Sequence, residues 1–593
     1  MRALAIVLML TIPLTATAEG KDGFPPGYWD LAAANAILEK TRRVAVAPDL
    51  SHLSPAARAA MDKLLAAGVI LHDLYEDATH EQALAARAQL ASLPAGQRRD
   101  ALFDLNWIFR GPIATTLENE RQPFLPVEPQ PPGRNVYPWD VDREQLEAYM
   151  ARVPESRDEL LGVRTVVRAA DAASLARDLS VLDAHPMLDG LHPGLRARLN
   201  AHLENGDPTA FYALPYSVRW PDRFLRLHAL LTGAAADISA EDPDFAAYLR
   251  LRARDFLTDD YEAGDAAWVT GRFGSLNAQI GSYETYDDAL YGVKSFFSLS
   301  LLAREDGKSR ELESAIGGIQ AIQDSLPQAR ERKVREDISV GVYNVIADFG
   351  QSRGTNTATI LPNEAAQSRK YGRTILLRYN IMTNPELFAD SLAIYQSAVE
   401  PAFAGDLTLD GNFYRTLWHE IGHYLGVDRT DDERELDAAL APWGDLYEEM
   451  KADLVSLHTA PRLQAAGILD EDELRSIRAS GIRRVLQRVK PRRDQPYQTM
   501  QLMQMNYFLA HGLLDWNEDS GRLSIDYERY DAVVEDLLRE VLAIQADGDA
   551  DAATAFVERH GGWDEALHGR LAERLRGATP YRYRLVDYAV LER

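Results

Sequence analysis

The segment Phe413-Tyr-Arg-Thr-Leu-Trp-His-Glu-Ile-Gly-His-Tyr-Leu-Gly426 sets two histidines, His419 and His423, four residues apart with Glu420 between them. On a helix, residues four apart lie one turn above each other, so both imidazoles can reach a single metal ion. Glu420 follows the first of them, where a carboxylate can take a proton from a metal-bound water as that water attacks a carbonyl. Two histidines on the face of an ordinary amphipathic helix would give the same pattern, so the reading needs a third ligand.

That ligand appears downstream. Asp431 to Leu440 and Trp443 to His458 read as two further helices, with Pro442 suited to the first turn of the second. The second carries Glu448-Glu-Met-Lys-Ala-Asp453. Glu449 and Asp453 share a helical face, as the histidines do. Hydrolytic zinc sites commonly take two His and one Glu and keep a position for water, which makes Glu449 the expected third ligand of one Zn2+ per chain. Asp453 and Glu448 would fix the tautomers of the two histidines from behind. A solvated acidic face would account for Glu448 and Lys451 alone, but not for their pairing with the upstream motif.

These motifs resemble the dipeptidyl peptidase III family, which is marked by H-E-x-x-G-H followed by E-E-x-[RK]-A-[DE]. Glu448 to Asp453 match the second motif in full; the first is one residue shorter here, with Gly422 kept before His423. Upstream, Ile280-Gly-Ser-Tyr-Glu-Thr-Tyr-Asp287 resembles the family's I-G-x-x-E-x-Y segment. The resemblance implies that Glu284 holds the substrate's free amino group and that the Tyr286 hydroxyl stabilises the oxyanion. It also implies that Asn356, in Gly354-Thr-Asn-Thr-Ala-Thr359, belongs to a substrate loop continued by Leu361-Pro-Asn-Glu364. The family uses a further histidine downstream as a transition-state donor. His458 and His511 both read as structural, so that position has no match.

The implied fold is α+β: two lobes across a wide cleft, a mainly helical lobe holding zinc and a mixed lobe with a small β-barrel or sheet. Closure would carry Glu284 and Tyr286 to the substrate. The patterns along the chain agree with that plan. Tyr28 to about Glu120 reads as helical, with Pro55 to Gly68 a helix ended by its glycine. Gln122 to Asp140 contains six prolines and reads as a connector. Trp268 to Phe297 and Val340 to Ile381 alternate aromatic and β-branched residues with Gly and Asn, as strands do. Beyond Pro385 the pattern is again mostly helical. The expected boundaries are a leader at 1–18, a mixed lobe at 19–381, a zinc lobe at 382–575, and a C-terminal segment at 576–593 returning to the first lobe.

Composition narrows the rest. The chain has 593 residues, no cysteine, and 90 acidic side chains against 64 Lys and Arg, a net charge of −26. Thiolate metal sites, disulfides and cysteine nucleophiles are thereby excluded, and phosphate-backbone partners are disfavoured. Met1-Arg2, the apolar run Ala3 to Leu14 and Ala16-Thr17-Ala18 form a secretory leader with cleavage expected after Ala18. The mature protein is expected to be exported, free of the membrane, and acting on short peptides. Asp547, Asp549, Asp551 and Glu558 match an EF-hand loop, but Ala552 replaces its glycine, so a helix is expected there rather than calcium. The basic run Arg483 to Arg493 reads as a solvated helix end. A zinc peptidase or amidase of other cleavage specificity, or a zinc-bound peptide-binding protein without turnover, is the alternative reading of the whole.

Overall fold

The computed structural model describes residues 23–591 except 317, 329, 335–338, 353, 362–369, 372–373 and 493–495. The leader and the Pro362-Asn-Glu364 part of the substrate loop lie outside these residues.

After a short helix at Leu31–Leu38 the chain runs through strand β1 (Thr41–Val46) and helix α1 (Pro55–Thr79). The Ser54 hydroxyl caps α1 by accepting from Ala57 N at 3.0 Å, and Pro55 occupies the first turn, where no donor is needed. Gly68 does not end this helix: α1 continues eleven residues beyond it, to Thr79. A Cβ on Gly68 would stand 2.3 Å from the Phe349 ring, so the glycine is there to let a strand side chain seat against the helix. Helix α2 (Pro221–Ile238) packs beside α1, and α3 (Pro243–Thr258) packs against α2 to complete the helical layer.

The central sheet follows: β2 (Leu276–Ser282), β3 (Phe297–Arg304), β4 (Ser339–Gly350), β5 (Ala358–Leu361) and β6 (Thr374–Arg378). Its spatial order is β2-β3-β4-β6-β5, antiparallel except for the parallel β4–β6 pair. Among the described residues it is an open sheet with edges at β2 and β5, not a closed barrel. Two strand assignments also move. Trp268 belongs to the helix Glu262–Thr270, and the chain between β2 and β3 is irregular, which puts Glu284 and Tyr286 on a loop.

The sheet lies between two hydrophobic cores. Leu376 of β6 joins the core that contains α1 to α3, while its neighbours Ile375 and Leu377 join the core of the C-terminal helices. Strand alternation thus lets one strand serve both lobes. The second lobe is built from α4 (Leu409–Gly422), α5 (Gly444–Ala465), α6 (Glu471–Val485) and α7 (Pro496–Ala510), with further helices behind them. Between α4 and α5 only Leu436–Ala439 is helical, not all of 431–440, and Pro442 precedes α5 rather than opening it. Asp549 caps a helix at Ala550–His560 in the region that resembles a calcium loop. The last strand, β7 (Tyr583–Tyr588), runs parallel to β1, pairing Tyr583 with Thr41. No helix among the described residues is long and apolar enough to cross a membrane.

One buried carboxyl gives a stability prediction. Asp259 ends α3 in the left-handed conformation (φ 57°), and its Oδ2 accepts from Ser217 N and Oγ at 3.2 and 2.8 Å. Burial pushes this acid up to about 7, against the lowering effect of Ser217. Arg164 also lowers it, and the His192 ring, 3.8 Å away, has its own pKa lowered by burial. The native state therefore keeps a proton that the unfolded chain releases near pH ~3.9, so stability is highest below that pH and falls as pH rises through about 7. Asp259→Asn keeps the acceptor, removes the charge and suits the left-handed backbone. It should stabilise this lobe by about 1–3 kcal/mol at pH 8, with the gain shrinking towards pH 4. Denaturation midpoints at the two pH values check this; a gain independent of pH would contradict it.

Candidate metal centre

Helix α4 carries His419 in its last turn and ends on His423 as its C-cap, with the two ring centroids 5.0 Å apart. The facing helix α5 brings Glu449 to them. Gly422 is what allows the approach: a Cβ there would meet the Ala452 carbonyl oxygen at 2.9 Å and its Cα at 3.0 Å, so the helices touch backbone to backbone. Glu449 Oε2 lies 3.4 Å from His419 Nε2, and Oε1 lies 3.9 Å from His423 Nε2. The ligand atoms of the three residues fall within 4.8 Å of one another. A tetrahedral zinc with bonds of about 2.0–2.2 Å sets its ligands about 3.3 Å apart, so a small contraction suffices. Glu449 Oε2 is also buried without a hydrogen-bond donor, an arrangement that a cation would relieve. The donor set and its geometry fit zinc.

The outer partners come from α5 as well. His423 Nδ1 is 2.9 Å from Glu448 Oε1, and His419 Nδ1 is 2.7 Å from Asp453 Oδ1. Both Nε2 atoms are thereby left to face Glu449. Burial alone would raise the Asp453 carboxyl, but Arg484, His419 and Arg415 together hold it far below the carboxylate range. Arg415 Nη1 and Arg484 Nε each reach it at 3.1 Å. For Glu448, burial is outweighed by Lys451 and His423, which lower it to about 2. Lys451 is 1% exposed and lies 2.8 Å from Glu448 Oε1. It is therefore an internal counter-ion and not part of a solvated face.

The sequence reading missed these three cations. Arg415 stands one turn before His419, a spacing that could have drawn attention to it. Arg484 carries no local signal and had been placed in a solvated basic run, whereas α6 turns it inward to Asp453. Arg483, its neighbour, donates from Nε to Ser391 O at 3.2 Å, so this end of the helix is packed.

The three ligand candidates and Glu420 line a cavity of ≈ 970 Å³, bordered on the other side by Thr357, Ala358 and Thr359 at edge strand β5. Glu284, Tyr286 and Asn356 do not line it. They share a smaller hollow of ≈ 70 Å³ on the mixed lobe, and Thr359 borders both spaces. Tyr286 is 65% exposed. Neither His458 nor His511 is among the residues that line the metal cavity.

The molecule is thus a two-lobed α+β protein with a His–His–Glu cluster in the cleft between its lobes. No family model matches the chain. Nudix hydrolase 3 of Arabidopsis thaliana is 24% identical over 565 residues, spanning 88% of this chain and 70% of that protein. Among solved structures, dipeptidyl peptidase III from Caldithrix abyssi is similar with a TM-score of 0.77 at 22% identity, covering 94% of this chain and 98% of its own. Dipeptidyl-peptidase III from Corallococcus sp. strain EGB is similar with a TM-score of 0.69 at 22% identity, covering 95% and 98%. The fold is that of dipeptidyl peptidase III, in agreement with the resemblance carried by the motifs.

Proposed function

We propose that the protein is a zinc metallopeptidase of the dipeptidyl peptidase III type that releases dipeptides from the N-termini of short peptides. The observation that carries this reading is the convergence of His419, His423 and Glu449 beside Glu420 in a cavity bordered by a sheet edge. Zinc held by those three residues would supply Lewis-acid polarisation of a carbonyl and a water of near-neutral pKa. Glu420 then accepts the attacking water's proton and passes it to the leaving amine. Asp453 and Glu448 hold the two imidazoles in the tautomer that presents Nε2 to the metal. The outer edge of β5 offers backbone groups to an extended peptide, which can add to the sheet as another strand.

Glu284 would pair with the peptide's ammonium group, fixing the cut at a set distance from the N-terminus. Asn356, in the same hollow, would hold the peptide backbone. Because these residues lie outside the metal cavity, turnover requires the lobes to close and carry Tyr286 to the reacting carbonyl. Tyr286→Phe should lower kcat by roughly 10- to 1,000-fold, as loss of an oxyanion donor does. Steady-state kinetics of the variant check this; unchanged turnover would remove Tyr286 from the reaction. The leader at 1–18 supports export to the periplasm or the medium, where peptides of this size are available.

The deciding experiment incubates the purified protein with peptides of four to ten residues and reads the products by mass spectrometry, with Glu420→Gln alongside. Successive loss of N-terminal dipeptides, absent in the variant, is the expected result. Internal cuts or single-residue release would keep the zinc chemistry and discard the exopeptidase assignment. Zinc binding without any Glu420-dependent cleavage would favour a peptide-binding protein.

A further inference from the structure

Glu284 and Tyr286 lie on the irregular chain between β2 and β3, the kind of segment that is usually mobile. Here it is stapled. Phe296 N donates to Glu284 O at 3.2 Å, and the Ser282 and Ser295 hydroxyls meet at 2.8 Å, which closes the loop at its base. The Asp288 carboxylate accepts from the main-chain N–H groups of Leu290, Tyr291, Val293 and Lys294 at 2.9–3.0 Å. The buried Lys294 Nζ donates to Leu160 O, Gly162 O and Thr165 Oγ1 at 2.6–2.7 Å.

These contacts hold the far side of the loop, whereas the side that carries Glu284 and Tyr286 hangs on Asp287. Asp287 directly follows Tyr286 and is buried behind the hollow, not among the residues that line it. Three separate parts of the chain converge on it. Tyr75 of α1 donates its hydroxyl to Oδ2 at 3.0 Å, and Gln351, just past the end of β4, donates Nε2 to the same oxygen at 2.7 Å. Arg134, from the proline-rich connector, donates Nε to the Asp287 carbonyl at 2.9 Å. Gln351 is itself held. Gly350 turns the chain at φ 63°, where a Cβ would stand 2.2 Å from Phe297 O, and Gln351 N donates to that carbonyl at 2.9 Å. Gln351 and Asn356 both line the hollow, so the Asp287–Gln351 bond joins the loop of Glu284 and Tyr286 to the segment that carries Asn356.

We propose that Asp287 is a positioning residue that sets where the peptide is cut. This rests on the peptidase reading above, in which Glu284 holds the N-terminal ammonium. The length released is then the distance from that carboxylate to the metal centre, counted in residues. One residue of extended peptide spans about 3.3 Å, so a loop free to shift by a fraction of that length would blur the count. Asp287 fixes the loop from behind, against the lobe's own helix and sheet, without touching substrate itself.

Asp287→Ala releases the Tyr75 and Gln351 donors, and the test is the length of the product. A hexapeptide of six different residues is incubated with zinc-loaded parent and variant, and the fragments are read by mass spectrometry. The parent should release dipeptides only. The variant should add single residues and tripeptides, and its kcat/KM should fall roughly 10- to 100-fold, the scale of a misplacement of about 1 Å. Its zinc content should match the parent, since Asp287 does not line the metal cavity. Asp287→Asn keeps an oxygen for both donors and should restore the dipeptide as sole product. A slower Asp287→Ala that still releases dipeptides alone would overturn the proposal, because general loosening of the lobe lowers the rate without changing the count. Unchanged rate and product would overturn it too. Should Asp287→Ala fail to fold, Tyr75→Phe removes one donor, keeps the ring and should show the same slip to a lesser degree. Dipeptides alone at the parent's rate would then overturn the proposal. A parent that itself releases no dipeptides would instead remove the peptidase reading on which the proposal stands.

Discussion

Glu420→Gln should retain the metal and the fold while losing peptidase turnover by roughly 10²- to 10⁴-fold, the usual worth of a positioned general base. The amide is the same size as the carboxylate but cannot accept a proton. Glu420 is not among the three residues whose atoms converge as metal ligands, and it is half-buried at the cavity wall. Zinc content should therefore match the parent by metal analysis, and peptide binding to the variant should persist. The comparison rests on kcat with zinc at saturation. A variant that turns over at the parent's rate would show that the proton is taken by some other group.

Glu449→Ala should empty the site. Removing an outer partner of a metal-binding histidine typically costs about 10- to 100-fold in affinity, and losing one of three protein ligands should cost more. The two histidines would remain anchored, His419 by Asp453 at 2.7 Å and His423 by Glu448 at 2.9 Å, so the fold around them should survive. The expected result is a folded protein that loses zinc on dialysis against a mild chelator and loses activity in proportion. Stoichiometric zinc in the dialysed variant would refute Glu449 as a ligand. Glu448→Gln is the matching control: it touches His423 from behind and should weaken the metal only by the smaller, outer-partner factor.

How much of this was legible in the sequence depends on the range of the interaction involved. The residues that the structure gathers at the ligand cluster and directly behind it are those with helical spacing, His419 with His423 and Glu449 with Asp453, because four residues make one turn whatever the rest of the chain does. That two such faces would meet could be read from the pairing of the motifs. The contact that lets them meet, Gly422 against Ala452, depends on a helix crossing and left no mark in the local pattern. Gly68 is the converse case. By local rules it ends a helix, but it sits inside one because Phe349, nearly three hundred residues later in the chain, needs the space. Arg484 looked solvated for the same reason: the side chain that makes use of it, Asp453, lies on another helix. The sheet was legible as strand-rich chain, but whether its edges join is a question of pairing, and β2 and β5 do not meet.

The backbone contact at Gly422 bears on which ions the protein can use. Two helices pressed together main chain to main chain form a caliper whose hinge is set by the backbone, while the three side chains set its final opening. Its jaws carry two imidazoles and one carboxylate, a sparse, nitrogen-rich set. Calcium needs six to eight oxygens at about 2.3–2.6 Å, and two imidazoles with one carboxylate do not supply them. Zinc, cobalt(II) and nickel(II) all accept imidazole, so a site of this composition would leave the choice among them to metal supply rather than to the protein.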